Sequence, residues 1–239
     1  IEDFLKGEEM SYFVVSDGEN YKFIGTAQDH KRVGEGDKGK NTGGMGCYSP
    51  SRLFCPELAK KIDTKIINPT FKAIKDLGTT YKGFLYVGLM IKDNNPYLVE
   101  FNVRMGDPEC QTILPLLKTD LIQIFINCCL GRLNEMEIEL KNEKSICIVL
   151  CSKGYPDEYK KNMPLKRLNN LFLKEKEYVF HAGTKLDNKE IVSSGGRVLN
   201  FVSISKDLKK SREDLIKLIN DLKWENGFFR KDIGYKVID

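Results

Sequence analysis

The first ordered pattern in the chain is a near-alternation of apolar and polar residues over 9–16 (EMSYFVVS), which predicts a β-strand. The turn-forming stretch SDGEN then leads back into a second strand at YKFIG. Over residues 56–77 the period lengthens: Leu58, Ile62, Ile66, Ile67, Phe71, Ile74 and Leu77 fall mostly on one side of a helix, and Pro56 suits its first turn. The segment FLYVGLMIKDNNPYLVEFN reads as a hairpin turning at KDNNP. TDLIQIFINCCLG reads as a buried helix, capped by Thr119 or Asp120 and closed by Gly131. Beyond it come strands at ICIVLCSKGYP, EYVFHAG and GGRVLNFVSIS, a helix from about Ser211 to Leu222, and a short basic tail. Six glycines with polar spacers, GEGDKGKNTGGMG at 34–46, exclude a helix or a central strand and predict a mobile loop.

The charged run NEMEIELKNEKS places a domain boundary near residue 134, giving domains 1–133 and 134–239. At 239 residues the chain is long enough for two ordinary domains. Its 41% apolar and 30% charged residues fit a folded chain rather than a disordered one. A net charge of +4, spread along the chain, is too small to argue for a nucleic-acid groove. Seven cysteines without C-x-x-C spacing read as free thiols of a reducing compartment, and a cytoplasmic location is expected. No apolar run is long enough for a bilayer, so no membrane partner is expected. Ile1 is not an initiator, and the chain is expected to be part of a longer polypeptide.

Chemistry concentrates where the second hairpin strand ends. Glu100 and Asn102 are two apart, so on a strand their side chains leave one face. A carboxylate beside an amide oxygen suits Mg²⁺, which keeps waters and shares phosphate oxygens with one or two protein ligands. Arg104 would continue that face and grip phosphate in a bidentate way. Taken alone, the Glu-x-Asn-x-Arg pattern is equally compatible with a solvated strand end. The glycine-rich stretch adds weight, because its N–H groups can approach phosphate and Lys31, Arg32, Lys38 and Lys40 lie in or beside it. It matches neither a Walker A loop nor G-x-G-x-x-G, and a flexible linker is its plain alternative.

Three ordered blocks carry a family resemblance: AQDHKRVGEGDKGKNTGGMGCYSP; YVGLMIKDNNPYLVEFNVRMGDPECQTILPLL; and GYPDEYKKNMPL with HAGT, SSGGRVLNFV and FRKDIG. Together they resemble the phosphoribosylamine–glycine ligases, ATP-grasp enzymes of purine biosynthesis. The resemblance implies an α+β fold: the C-terminal half of an ATP-grasp domain, an antiparallel sheet with helices, followed by a smaller β-rich α+β domain. It implies ATP, held by Glu2, Asp3, Phe4 and Leu5 through backbone groups at a hinge, by Glu9 at the ribose, and by Gly43 and Gly44. Glu100 and Asn102 would be the ligands of Mg²⁺ or Mn²⁺. Arg104, Asp107 and Lys31 would be catalytic, and Asp29, His30, Arg32 and Glu109 would face substrate. A lone histidine more often makes a structural hydrogen bond, and that reading of His30 stays open, as it does for His181. The implied partners are glycine, 5-phosphoribosylamine and ATP, with fusion to other purine-pathway domains left open.

The resemblance also implies that the first half of the ATP-grasp fold, with its phosphate-holding lysines, lies outside this sequence. The chain alone would then bind ATP weakly and not turn over. Three alternatives remain at this stage: a folded but catalytically incomplete piece, a nucleotide- or polyanion-binding module, and a different ATP-grasp carboxylate–amine ligase.

Overall fold

The structure is a computed structural model that describes residues 4–238. In chain order the first strands are β1 (Glu8–Asp17), β2 (Tyr21–Asp29), β3 (Arg32–Gly34), β4 (Lys38–Asn41), β5 (Gly46–Ser49), β6 (Lys82–Lys92) and β7 (Asn95–Asn102). They are followed by β8 (Lys144–Ser152), β9 (Glu177–His181), β10 (Thr184–Asp187), β11 (Glu190–Ser193), β12 (Arg197–Ser205) and β13 (Gly227–Phe228). The helices are α1 (Pro56–Ile62), α2 (Asn68–Asp76), α3 (Glu109–Ile113), α4 (Leu121–Leu130), α5 (Leu208–Asp221) and α6 (Tyr235–Ile238). The fold is α+β, and strand pairing within each unit is antiparallel. Among the described residues no helix is long and apolar enough to cross a membrane.

Two compact units emerge, and they are interleaved in sequence. The first comprises residues 1–28, 50–106 and 116–141; the second comprises 29–49, 107–115 and 142–239. A single division at residue 134 therefore differs from the contacts: the glycine-rich stretch and the segment after Gly106 pack with the C-terminal residues. Charge runs mark where a chain leaves a core, but they cannot report which core a loop returns to.

The first unit is a four-stranded sheet in the order β7-β6-β1-β2. Its β1 is buried on both faces. Met10, Tyr12 and Val14 pack with Leu58, Ile62, Ile66 and Ile67 of the helical segment, while Phe13 stacks on Tyr86 at 5.0 Å. The β6–β7 hairpin turns at Asp93 and Asn94, both with positive φ, as an Asp-Asn pair readily adopts.

Residues 56–76 form one helical run, but with a π turn at Asp63–Ile67 between α1 and α2. Pro69 supplies the reason: its ring would collide with the carbonyl four residues back, and the wider turn relieves that collision. The Asn68 N–H bonds to the Asp63 carbonyl instead. The same turn sets the Asp63 carboxyl against the Tyr12 and Tyr21 hydroxyls; burial holds that carboxyl above its ordinary value and pushes Tyr21 up to about 12.

Helix α4 has the expected caps. Asp120 accepts from Ile122 and Gln123 N–H at 2.8 and 3.0 Å, and Gly131 closes it in the left-handed region. It is not the buried helix expected, however. Within its unit only Ile124 and Cys128 are buried, while Ile122, Phe125, Ile126 and Leu130 are exposed. A helix that is apolar all round gives no periodic signal of which stripe packs.

The second unit centres on β5-β8-β12-β9, with β13 joining β8 beyond the end of β5. Helix α5, capped by Asp207, packs Leu208, Leu215, Leu218 and Ile219 into the core with Ile148, Leu150, Leu199 and Phe201. The glycine-rich stretch is not an irregular loop. β3 and β4 pair as a hairpin turning through Glu35–Asp37, and β5 continues into the sheet. Backbone pairing needs no side chain, so six glycines do not prevent a short two-stranded ribbon.

Candidate functional site

The strand-end residues of the first unit lie as the two-residue period requires. The Asn102 amide Nδ2 donates to Glu100 Oε1 at 3.1 Å, so the two side chains share a face. Opposite Glu100 in β6 stands Gly88, where a Cβ would come within 3.1 Å of Glu100 Cγ. Glycine at that point leaves the carboxylate room. One bond engages Nδ2 and Oε1, so the amide Oδ1 and carboxylate Oε2 are the oxygens open to a cation. Among the described residues no group of three or more His, Cys, Asp or Glu gathers as a metal site. An ion held here would complete its shell from phosphate oxygens and water, a set that fits Mg²⁺ or Mn²⁺ better than Zn²⁺.

Arg104 does not continue that face. β7 ends at Asn102, and the exposed Arg104 turns its guanidinium onto the neighbouring Met105 carbonyl at 3.0 Å. Glu9 is exposed near the start of β1, in register with Met90. Phe4 is exposed and Leu5 half-buried, whereas Glu2 and Asp3 lie outside the described residues.

The second unit gathers most of the other expected residues, in two clusters. In the first, the His30 ring is buried, with Nδ1 3.2 Å from Asp37 Oδ1 and Nε2 accepting from the Gly234 N–H at 3.0 Å. That tautomer engages both ring nitrogens within the protein. Arg230, only 1% exposed, donates to Asp37 at 2.8 Å, to both Asp232 oxygens at 2.8 and 2.7 Å, and to the Arg32 carbonyl at 2.9 Å. Tyr235 adds a bond to Asp37 at 3.0 Å, and the Gly36 N–H donates to Asp232 at 2.7 Å. The expected basic tail is thus the buried fastening of the β3–β4 hairpin.

These environments fix a pH dependence. Burial lowers the His30 pKa, against the opposing pull of Asp37. The His30 bond, helped by Arg230, holds the Asp37 carboxyl far below its ordinary value. A histidine kept neutral on folding binds its proton more readily unfolded, so stability should fall as pH drops below the free value of 6.5. Asp37 contributes stability above its free value of 3.8, lost as pH falls through the lower folded value, so the two losses add in acid. Denaturant midpoints should be flat above about pH 7.5 and decline from about pH 6.5 downwards, with a slope of at most about 1.4 kcal/mol per pH unit from the histidine. His30→Gln should remove the part of the slope above pH 5. A flat profile from pH 7.5 to 5 would exclude this account.

The second cluster surrounds Gly43 and Gly44. Gly43 N–H donates to the Tyr155 hydroxyl at 2.9 Å and Gly44 N–H to Thr42 Oγ1 at 3.0 Å. The two amides expected to meet a phosphate are therefore already engaged. What the glycines supply is close approach. Gly44 has φ +114°, and a Cβ there would stand 2.6 Å from Pro108 Cδ and 2.8 Å from an Asp29 carboxylate oxygen. Gly44→Ala should destabilise the second unit by about 2 kcal/mol or more, combining backbone strain and steric overlap. Equilibrium unfolding checks this, and a change below 0.5 kcal/mol would show that the contact relaxes freely.

Arg197 was not singled out from the sequence, yet it joins this cluster. Its NH1 donates to the Gly43 and Asp107 carbonyls, each at 2.6 Å, and its NH2 stands 3.4 Å from Asp107 Oδ2. Asp107 Oδ1 also accepts from Gln111 at 3.2 Å, and Glu109 is buried at the start of α3. The signal available was a charged residue wedged between two glycines and an apolar strand in SSGGRVLNF. Of the basic residues near the hairpin, Lys40 pairs with Asp157 at 2.7 Å and Arg32 donates to the Gly39 carbonyl at 2.8 Å. Lys31 is half-buried, and its carbonyl accepts from Thr42.

Two family models match in order. The phosphoribosylglycinamide synthetase ATP-grasp (A) domain covers residues 1–110, and the C domain of the same synthetase covers 145–236. The whole chain aligns with the phosphoribosylamine–glycine ligase of Agrobacterium fabrum at 42% identity, over 56% of that protein. The crystal structure of phosphoribosylamine–glycine ligase from Thermotoga maritima superposes with a TM-score of 0.82 at 32% identity, covering 98% of this chain and 57% of that one. A biotin carboxylase from Campylobacter jejuni shares the fold alone, with a TM-score of 0.61 at 16% identity, covering 92% of this chain and 47% of its own. The chain spans about half the length of the curated relatives it matches. On these matches, in order and along nearly all of its length, it belongs to the phosphoribosylamine–glycine ligase family of ATP-grasp proteins.

Proposed function

We propose that this chain forms the C-terminal part of a ligase that joins the carboxylate of glycine to the amine of 5-phosphoribosylamine. ATP would be consumed through a glycyl phosphate, with ADP and phosphate released. A carboxylate resists attack by an amine because its charge and resonance make oxide a poor leaving group; phosphorylation converts that oxygen into a good one. The observation that carries the reading is the Glu100–Asn102 pair at the end of β7, with Gly88 leaving the carboxylate room.

In this reading Glu100 and Asn102 would hold Mg²⁺ or Mn²⁺. When bound, the ion offsets negative charge on the transferring phosphoryl group. Arg104 gives up its weak local bond to Met105 and turns to phosphate. Glu9, with Glu2, Asp3, Phe4 and Leu5, serves the nucleoside. In the second unit, Asp107 and Lys31 act on the reacting groups, while Asp29, Arg32 and Glu109 shape the substrate side. Gly43 and Gly44 hold the fold of that cluster rather than a phosphate, because their amides are engaged.

Glycyl phosphate formation has a direct signature in the ligase polypeptide that carries these residues. Without the amine, glycine should promote scrambling of labelled oxygen between the β–γ bridge and the β-nonbridging positions of ATP. Scrambling that ignores glycine, or ADP release equal with and without it, would rule out this function.

A further inference from the structure

We propose that Arg197 is a positioning residue for this ligation, acting by clamping Asp107 and the Gly43–Gly44 turn into one fixed arrangement. The inference deepens the ligase reading and rests on it.

The geometry is that of a clamp rather than a simple ion pair: the guanidinium is about one-fifth exposed, and besides the Asp107 carboxylate it reaches two backbone carbonyls. Arg197 opens β12, where its own carbonyl accepts from the Gly183 N–H at 2.8 Å. The preceding glycines are tied down too: the Gly196 carbonyl accepts from Ser152 N–H at 2.7 Å, and the Gly195 carbonyl from Ser152 Oγ at 3.0 Å. A Cβ on Gly196 would overlap the Tyr155 ring, so the approach of Arg197 to the cluster depends on a bare backbone there. From this anchored stem, NH1 spends both of its hydrogens on backbone carbonyls, those of Gly43 and Asp107. NH2 faces the Asp107 carboxylate.

The Gly43 residue is therefore gripped at both ends. Tyr155 accepts from its N–H and Arg197 donates to its carbonyl. A Cβ at Gly43 would stand 2.9 Å from the guanidinium carbon, which explains why this position accommodates the clamp as glycine. Asp107 is gripped likewise, through its carbonyl and carboxylate by Arg197 and through its other oxygen by Gln111. Gly43 and Asp107 are 64 residues apart, and one planar fork sets their separation. A guanidinium can bond two carbonyls and a carboxylate in one plane; an ammonium is a point charge with no fixed fork.

The test uses the ligase polypeptide carrying these residues, with Arg197→Ala and Arg197→Lys. Both variants should keep their unfolding midpoint within a few degrees, lower kcat by about 100-fold and leave the KM for ATP within about twofold. Lysine should not restore turnover, whereas added methylguanidinium should restore part of it to the alanine variant. Amide exchange in the Gly43–Gly44 and Asp107 segments should quicken in both. A kcat within twofold of the unsubstituted protein, full rescue by lysine, or a loss confined to the KM for ATP would overturn the proposal. So would a kcat loss matched by global unfolding. If the unsubstituted protein makes no glycine-dependent product, the ligase reading falls and the positioning role falls with it; exchange at Gly43 and Asp107 then reports only whether the clamp exists.

Discussion

In the ligase polypeptide proposed to carry these residues, replacing Glu100 by Ala is expected to lower ligation by about 10²–10³-fold or more, the scale of removing one preorganised electrostatic contact from a transition state. The fold should be almost untouched. Glu100 is exposed near the end of an edge strand, and its side chain accepts a bond from Asn102. Surface substitutions away from caps, cores and buried pairs usually change stability by about 0.5 kcal/mol or less. Glu100→Gln is the sharper control, because it keeps the shape and a bond to Asn102 while removing the charge a divalent ion needs. Both variants should show reduced turnover that rising Mg²⁺ recovers only in part. Near-normal turnover of the alanine variant at ordinary Mg²⁺ would end the metal assignment.

The second large effect is structural. Arg230→Met should destabilise the second unit by about 3–5 kcal/mol, because it leaves the Asp37 and Asp232 carboxylates close together without their shared cation. Asp37 would keep Tyr235, Lys236 and His30, and Asp232 would keep the Gly36 N–H. None of these replaces a guanidinium that reaches both carboxylates and the Arg32 carbonyl at once. A typical domain is stable by only about 5–15 kcal/mol, so the variant should be marginal and its β3–β4 hairpin the first part to lose exchange protection. Denaturant unfolding measures this directly. A loss below about 1 kcal/mol would mean the ion pairs merely break even against their desolvation.

Particular residues show how far the chain could be read before folding. Strand β1 and the β6–β7 hairpin were legible because alternation and an Asp-Asn turn are local signals. The caps of α4 were legible for the same reason, since Asp120 and Gly131 act on their own helix ends. The π turn was not, although Pro69 was in view: a proline interior to a helix can kink it, end it or widen a turn, and the surrounding packing chooses. Lys40 and Arg32 lie in or beside the stretch expected to approach phosphate, and the structure gives one an aspartate and the other a carbonyl. Charge in a sequence does not say where its partner is.

The sequence by itself determined the family, the α+β class and the placement of Glu100 and Asn102 on one strand face, because motif order and a period of two survive without tertiary information. Only the tertiary structure decided that residues 29–49 and 107–115 belong with the C-terminal unit, and that His30 and Arg230 are buried fasteners. It alone brought Arg197 to Gly43 and Asp107. The physical reason is range. Propensity, capping and strand alternation act over a few residues, whereas a guanidinium bonds whatever acceptors folding brings near, here 154 and 90 residues away along the chain for Arg197.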